Sequence, residues 1–144
     1  MIYLDTSCLL KLLWDEPESA EVVDALGRES AVVISVLAEL ETLVQLNAAH
    51  LGGEYGLPQL RRLEAQLAIL RNREPYEFRT LPGSVFQAAL RQHRNAAGTH
   101  CCTLDRLHLA AMEELKISRL MTHDEQQATA AIAARFAVVR PGRR

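Results

Sequence analysis

Four acids stand where an α/β chain can do hydrolytic chemistry: Asp5, Glu41, Asp105 and Asp124. Asp5 closes the apolar run Ile2-Tyr3-Leu4 and is followed by two hydroxyls, Thr6 and Ser7. Asp124 comes just after Arg119-Leu120-Met121, behind Thr122 and His123. Asp105 lies in the first turn of a helical stretch, and Glu41 lies roughly two turns past Ser35 inside another. No matching set of histidines and cysteines accompanies them. Carboxylates alone are the ligands of hard cations: Mg²⁺ and Mn²⁺ prefer oxygen, keep several waters and take few protein carboxylates. Two such ions can clamp the attacking and the leaving oxygen of a phosphodiester. The chemistry implied is metal-assisted phosphoryl transfer.

That chemistry requires the acids to meet, so the elements between them matter. Ile2-Tyr3-Leu4 reads as a buried strand with Asp5 at its C-terminal end, where open parallel sheets bind their ligands. A helix is expected over about Thr6–Trp14, broken by Asp15-Glu16-Pro17, with Pro17 opening a second helix that Glu18 and Glu21 favour. Ala31-Val32-Val33-Ile34 is a continuous β-branched run, hence a second buried strand. Ser35 can cap the next helix, whose apolar face is read as Leu37, Leu40, Leu43, Val44 and Leu46. Gly52, Gly53 and Gly56 mark a loop before a helix with Leu60, Leu63, Leu67 and Leu70 on one face. Arg61, Arg62, Arg71 and Arg73 read as a solvated helical face.

Tyr76 to Leu81 is expected as a short edge strand. Pro82-Gly83-Ser84 then opens a helix through Val85, Phe86, Ala89 and Leu90, and Gly98 closes that region. Thr103 can cap a helix that uses Leu104, Leu107, Ala111 and Leu115. Arg119–Thr122 is strand-like, Thr122–Glu125 matches a capping box, and Phe136–Val139 is the last strand before a loose tail. Strands alternating with helices predict a parallel sheet with helical cover.

The bulk numbers agree. A chain of 144 residues fits one domain, and 49% hydrophobic residues supply an ordinary core. No apolar run has the length of a membrane span, and the N-terminus has no signal-peptide pattern, so no membrane role or export is expected. Three cysteines (Cys8, Cys101 and Cys102) make no disulfide framework, which suits a reducing cytoplasm. A net charge of −2 excludes nucleic-acid binding by bulk positive charge. It leaves room for a nuclease, because bound cations invert the local sign.

The four motifs in order, Tyr3-Leu4-Asp5-Thr6-Ser7, Ser35 with an acid on its helix, Thr103-Leu104-Asp105-Arg106-Leu107-His108-Leu109-Ala110, and Thr122-His123-Asp124, resemble those of PIN-domain ribonucleases. The similarity is greatest to the VapC-like toxins of toxin–antitoxin modules and spans essentially residues 1–144 as one PIN-like domain. The resemblance implies a five-stranded parallel sheet with helices on both faces. It implies Mg²⁺- or Mn²⁺-dependent cleavage of RNA, leaving 5′ phosphate and 3′ hydroxyl. Carried over by position, Asp5, Glu41, Asp105 and Asp124 form the metal-binding and catalytic acids, with Thr6, Ser7 and Thr122 as supporting hydroxyls. A homodimer and a VapB-like antitoxin partner are implied as well. The family's second acid usually falls six residues past the serine, which selects Glu41 over Glu39. Arg106 stands where a small residue is common; it could contact a phosphate or be solvated.

Other readings compete. Asp5, Asp105 and Asp124 could be helix caps or dipole-favoured first-turn acids. His100, Cys101, Cys102 and His108 invite zinc, but adjacent cysteines lack the usual two-residue gap. His108 reads as a packed core histidine. A PIN-like module that binds RNA or protein without cutting keeps the fold and drops the chemistry. A phosphatase with Asp5 as nucleophile would usually carry a second aspartate where Ser7 stands.

Overall fold

The computed structural model describes residues 1–96 and 100–142. The expected break at Gly98 and the tail residues Arg143 and Arg144 lie outside them. Twelve elements follow one another among the described residues: β1 (Ile2–Leu4), α1 (Thr6–Leu13), α2 (Ser19–Leu26), β2 (Val32–Ser35), α3 (Val36–Leu51), α4 (Leu57–Leu70), β3 (Tyr76–Arg79), α5 (Val85–Asn95), α6 (Thr103–Glu114), β4 (Arg119–Met121), α7 (Glu125–Ala133) and β5 (Ala137–Val139).

All strand pairs are parallel, in the order β3-β2-β1-β4-β5. The chain starts at the centre, moves out through β2 to the β3 edge, then returns to β4 on the other side of β1. The order therefore reverses between β1 and β4, and a crevice is expected beyond their carboxyl ends. Tyr3 faces both Val33 and Leu120 in register, and Leu4 faces Met121. The N–H of Asp5 continues the ladder to the Met121 carbonyl at 3.1 Å, which fixes the end of β1 beside the end of β4.

Successive strand residues point to opposite faces, so each strand feeds two cores. Ile2, Leu4, Val32 and Ile34 pack with α1, α2 and α4 through Leu9, Val22, Leu26, Leu63 and Leu67. Tyr3, Val33 and Leu120 pack with α5, α6 and α7 through Val85, Leu109, Met112 and Ala131. The leucine face expected for α4 is the one it buries.

Several local expectations need correction. Pro17 precedes α2 by two residues, and its carbonyl accepts from the buried Lys11 Nζ at 2.8 Å. The buried face of α3 is Ala38, Thr42 and Leu46, whereas Leu40 and Val44 are each 58% exposed. A count of apolar residues could not see that α3 touches α1 and α4 along one narrow strip. Leu104 is likewise exposed in α6. Cys102, not Thr103, caps α6, its Sγ accepting from the Asp105 N–H at 3.4 Å. Asp124, not Thr122, caps α7.

Glu29 pins the other end of the central strands. Its carboxylate takes Arg119 Nη1 at 2.8 Å, at the start of β4, and the Met1 amino group at 3.5 Å. The hydrogen bond from Arg119 holds the Glu29 carboxyl below its ordinary value, outweighing burial. A depressed carboxyl contributes stability above its unfolded pKa and loses it as pH falls through the folded one. Glu29→Gln is thus expected to cost about 1 kcal/mol near neutrality. Urea midpoints of the two proteins should converge in acid, and a gap independent of pH would contradict the pairing.

Candidate acidic site

Asp5 is the most constrained of the four acids. It caps α1, with Oδ2 accepting from the Ser7 N–H at 3.4 Å. The same oxygen accepts from Ser7 Oγ at 2.8 Å and from Thr122 Oγ1 at 2.7 Å. Ser7 Oγ in turn accepts from the His123 N–H at 2.9 Å, and Thr122 Oγ1 from the Asp124 N–H at 3.0 Å. Each hydroxyl has one proton, and both spend it on Asp5. The fully buried Gln127 must then present its NH₂ group, which lies 3.1 Å from Thr122 Oγ1 and 2.9 and 2.8 Å from the two Asp5 oxygens. Every partner of Asp5 is a donor, so the pocket is built around a carboxylate.

Glu41 projects from α3 toward the same edge. Its Oε2 accepts from Thr6 Oγ1 at 2.8 Å and from His108 Nε2 at 2.5 Å. Burial pushes the Glu41 carboxyl up, but the bonds and charge from His108 outweigh it and hold the group below its ordinary value. Glu39, two residues away and thus on a different face of the helix, pairs with Arg71 of the α4 end. That arginine also lies 4.5 Å over the Phe78 ring. The geometry separates the two glutamates that the sequence left side by side.

Asp105 stands in the first turn of α6. Burial raises its pKa, and the nearby charges of Asp124 and Asp5 raise it further. Asp124 is exposed, and its Oδ1 accepts from the Gln127 N–H at 2.8 Å as the α7 cap. Cap and site position therefore coincide at both Asp5 and Asp124. The fold brings all four acids and the three hydroxyls to one edge. Among the described residues, however, no three acids, imidazoles or thiols converge closely enough to ligate one ion directly.

Three contributors were not assigned to the site from sequence. His108 is 1% exposed, as a core histidine would be. Yet its Nδ1 meets Tyr3 Oη at 2.8 Å and its Nε2 meets Glu41, so it links the β1 core to an acid. Tyr3 Oη continues to Ser35 Oγ at 2.5 Å, and Ser35 caps α3 through the Ala38 N–H. The available signal was spacing: Asp105 and His108 are three residues apart, hence on one helix face. Gln127 carried a signal too, since Asp124-x-x-Gln127 has the capping-box spacing two residues after Thr122-x-x-Glu125. His100 and Cys102 are exposed, Cys101 is half-buried and Cys8 is buried.

The profile of the PIN domain family matches residues 2–133. Ribonuclease VapC46 of Mycobacterium tuberculosis (strain ATCC 25618 / H37Rv) is 32% identical over 146 residues, covering 97% of this chain and 97% of that one. The crystal structure of VapC20 from Mycobacterium tuberculosis, a sarcin-ricin loop cleaving toxin, superposes with a TM-score of 0.74 at 20% identity, over 98% of this chain and 100% of that one. VapBC2 from Rickettsia felis, solved bound to a DNA fragment from their promoter, gives a TM-score of 0.69 at 13% identity, over 97% and 98% of the two chains.

Proposed function

This chain belongs to the PIN-domain family, among its VapC-like ribonuclease toxins, and from that membership we propose that it is a metal-dependent endoribonuclease acting through Asp5, Glu41, Asp105 and Asp124. The observation that carries the proposal is Asp5 at the β1/β4 crevice, held by donors alone, with Glu41 beside it on Thr6. A cap needs one such bond; this carboxylate has a cage.

The donor set fits Mg²⁺ or Mn²⁺. All four side chains offer oxygen, and burial, followed by the charges of Asp124 and Asp5, raises the proton affinity of Asp105; a cation would relieve the repulsive part. Among the described residues no three acids are close enough to ligate one ion directly, which suits an ion that keeps several waters and binds partly through them. When bound, such an ion supplies Lewis acidity and charge neutralisation at a phosphodiester. The chain's own groups do the positioning. Ser7 and Thr122 fix Asp5, while Thr6 and His108 take Glu41 Oε2 and leave Oε1 open among the described residues. Asp124 caps the start of α7.

A VapB-like antitoxin is the proposed partner, supported by the likeness to VapBC2. The exposed apolar row Val36, Leu40 and Val44 on α3 supports a homodimer. No described helix is long and apolar enough to cross a membrane.

The test is RNA cleavage by the purified chain, freed of any partner, with Mg²⁺ or Mn²⁺ and with EDTA. Cleavage is expected only with metal. Glu41→Gln should slow it at least about tenfold, as loss of a group that orients or holds a metal does, and Glu39→Gln should leave it unchanged. Full activity in EDTA, or in Glu41→Gln, would overturn the assignment. A folded chain that binds RNA and never cuts it would favour the binding-module reading.

A further inference from the structure

A polar cavity lies away from the acids, between α5, α6 and the end of α7, with a volume of about 370 Å³. Its walls carry Arg91, Arg106 and Arg135 against a single acid, Glu113, in a chain whose net charge is −2. Glu113 is already engaged, accepting from Arg91 and, at 2.7 Å, from Gln92 Nε2. Those bonds hold its carboxyl below the ordinary value, so it does not neutralise the other two arginines.

Arg106 is the unusual member. It is 7% exposed, and its Nε is buried without a hydrogen-bond partner among the described residues. No acid there pairs with its guanidinium. A buried, unpaired guanidinium is costly, and it is tolerated where a ligand supplies the missing acceptor. The reading of this arginine as solvated on the helix surface does not hold. Gln92 lines the same cavity, and its Oε1 is also buried without a hydrogen-bond partner among the described residues. The cavity therefore offers an orphan cationic donor and an orphan acceptor, with the Phe136 ring on its wall.

We propose that this cavity is a nucleotide site, in which Arg106 binds a phosphate group, Arg135 at the rim adds charge, and Gln92 and Phe136 meet the ribose or base. A bare anion would satisfy the arginines and leave Gln92 Oε1 without a donor. A nucleotide supplies both, and the volume is at the small end of ligand cavities. Arg106 directly follows Asp105 on α6 but points to a different face of the helix, so the cavity is a subsite separate from the acids. That the nucleotide belongs to the RNA being cut rests on the ribonuclease reading; the phosphate chemistry of the cavity does not.

The experiment is binding of the full chain, in EDTA so that no cleavage occurs, to an eight-nucleotide RNA, to adenosine 5′-monophosphate and to inorganic phosphate, by calorimetry across a salt series. Arg106→Gln is expected to weaken RNA binding about tenfold and to reduce the salt slope by about one. Arg135→Asn serves if the buried substitution fails to fold, because Arg135 is exposed and has φ 67°, a backbone that asparagine tolerates. It should weaken binding in the same sense. If the mononucleotide binds as tightly as the RNA and loses affinity in these variants, the site stands and takes a free nucleotide. Unchanged binding of all three probes in a folded variant, or no binding of any probe to the wild type, would overturn it. Because cleavage is never read, failure here leaves the acidic site intact, and loss of the nuclease reading leaves the cavity's phosphate binding standing.

Discussion

Asp5→Asn is expected to keep the fold and reduce metal-dependent RNA cleavage at least about a hundredfold, more than loss of an outer-shell partner costs. The structural half of that expectation comes from the cage around the side chain. Asparagine caps a helix as well as aspartate does. Its oxygen can still accept from Ser7 Oγ and Thr122 Oγ1 at the position of Asp5 Oδ2. Its nitrogen falls beside Gln127, whose amide can turn to present oxygen in place of nitrogen. Stability should therefore change by less than about 1 kcal/mol. The chemical half follows from charge: the substitution removes a full negative charge from the residue closest to the β1/β4 crevice while leaving its shape. Thermal melting and single-turnover cleavage in Mg²⁺ would read the two halves separately. A folded variant that cleaves at the wild-type rate would remove Asp5 from the site.

His108→Phe carries the largest expected loss of stability. The imidazole lies between Tyr3 Oη and Glu41 Oε2, so phenylalanine deletes two bonds at once, one of them to a carboxylate. Charge-assisted bonds contribute about 1.5–3 kcal/mol and neutral ones about 1 kcal/mol. A combined loss of about 3 kcal/mol is expected, or roughly 10 °C in Tm for a chain of this size. Tyr3→Phe deletes only the neutral bond and should cost about 1 kcal/mol. The two changes share a partner, so the double variant should lose less than the sum. The deficit of His108→Phe should also shrink in acid. Glu41, whose pKa His108 depresses, contributes its stability above its unfolded pKa and loses it as pH falls through the folded one. A His108→Phe protein that melts with the wild type would show that this chain of contacts contributes nothing to the fold.

The alternation of strands and helices was legible because its signals are local. The β-branched run before Ser35, the Leu60/63/67/70 face and the edge position of Tyr76 all came through. The apolar face of α3 was misread because exposure depends on which neighbours a helix meets. Leu40 and Val44 have the right periodicity but are exposed, whereas Thr42 is buried with its hydroxyl bonded to the Ala38 carbonyl. Capping was misread by one or two residues at α6 and α7, where several adjacent side chains could accept the same N–H.

By itself, the sequence determined that acids stand at the ends of the first and fourth strands, and that a parallel sheet would carry them. Those facts rest on residue type and spacing along the chain. Only the tertiary structure decided that Glu41 meets Thr6 and His108 while Glu39 meets Arg71, that Gln127 packs on Asp5, and that Arg106 turns inward to a cavity. Each of those depends on contacts across intervals of many residues, such as Glu41 with His108 and Gln127 with Asp5. Periodicity along one element places a side chain on a face, but packing between elements determines what that face meets.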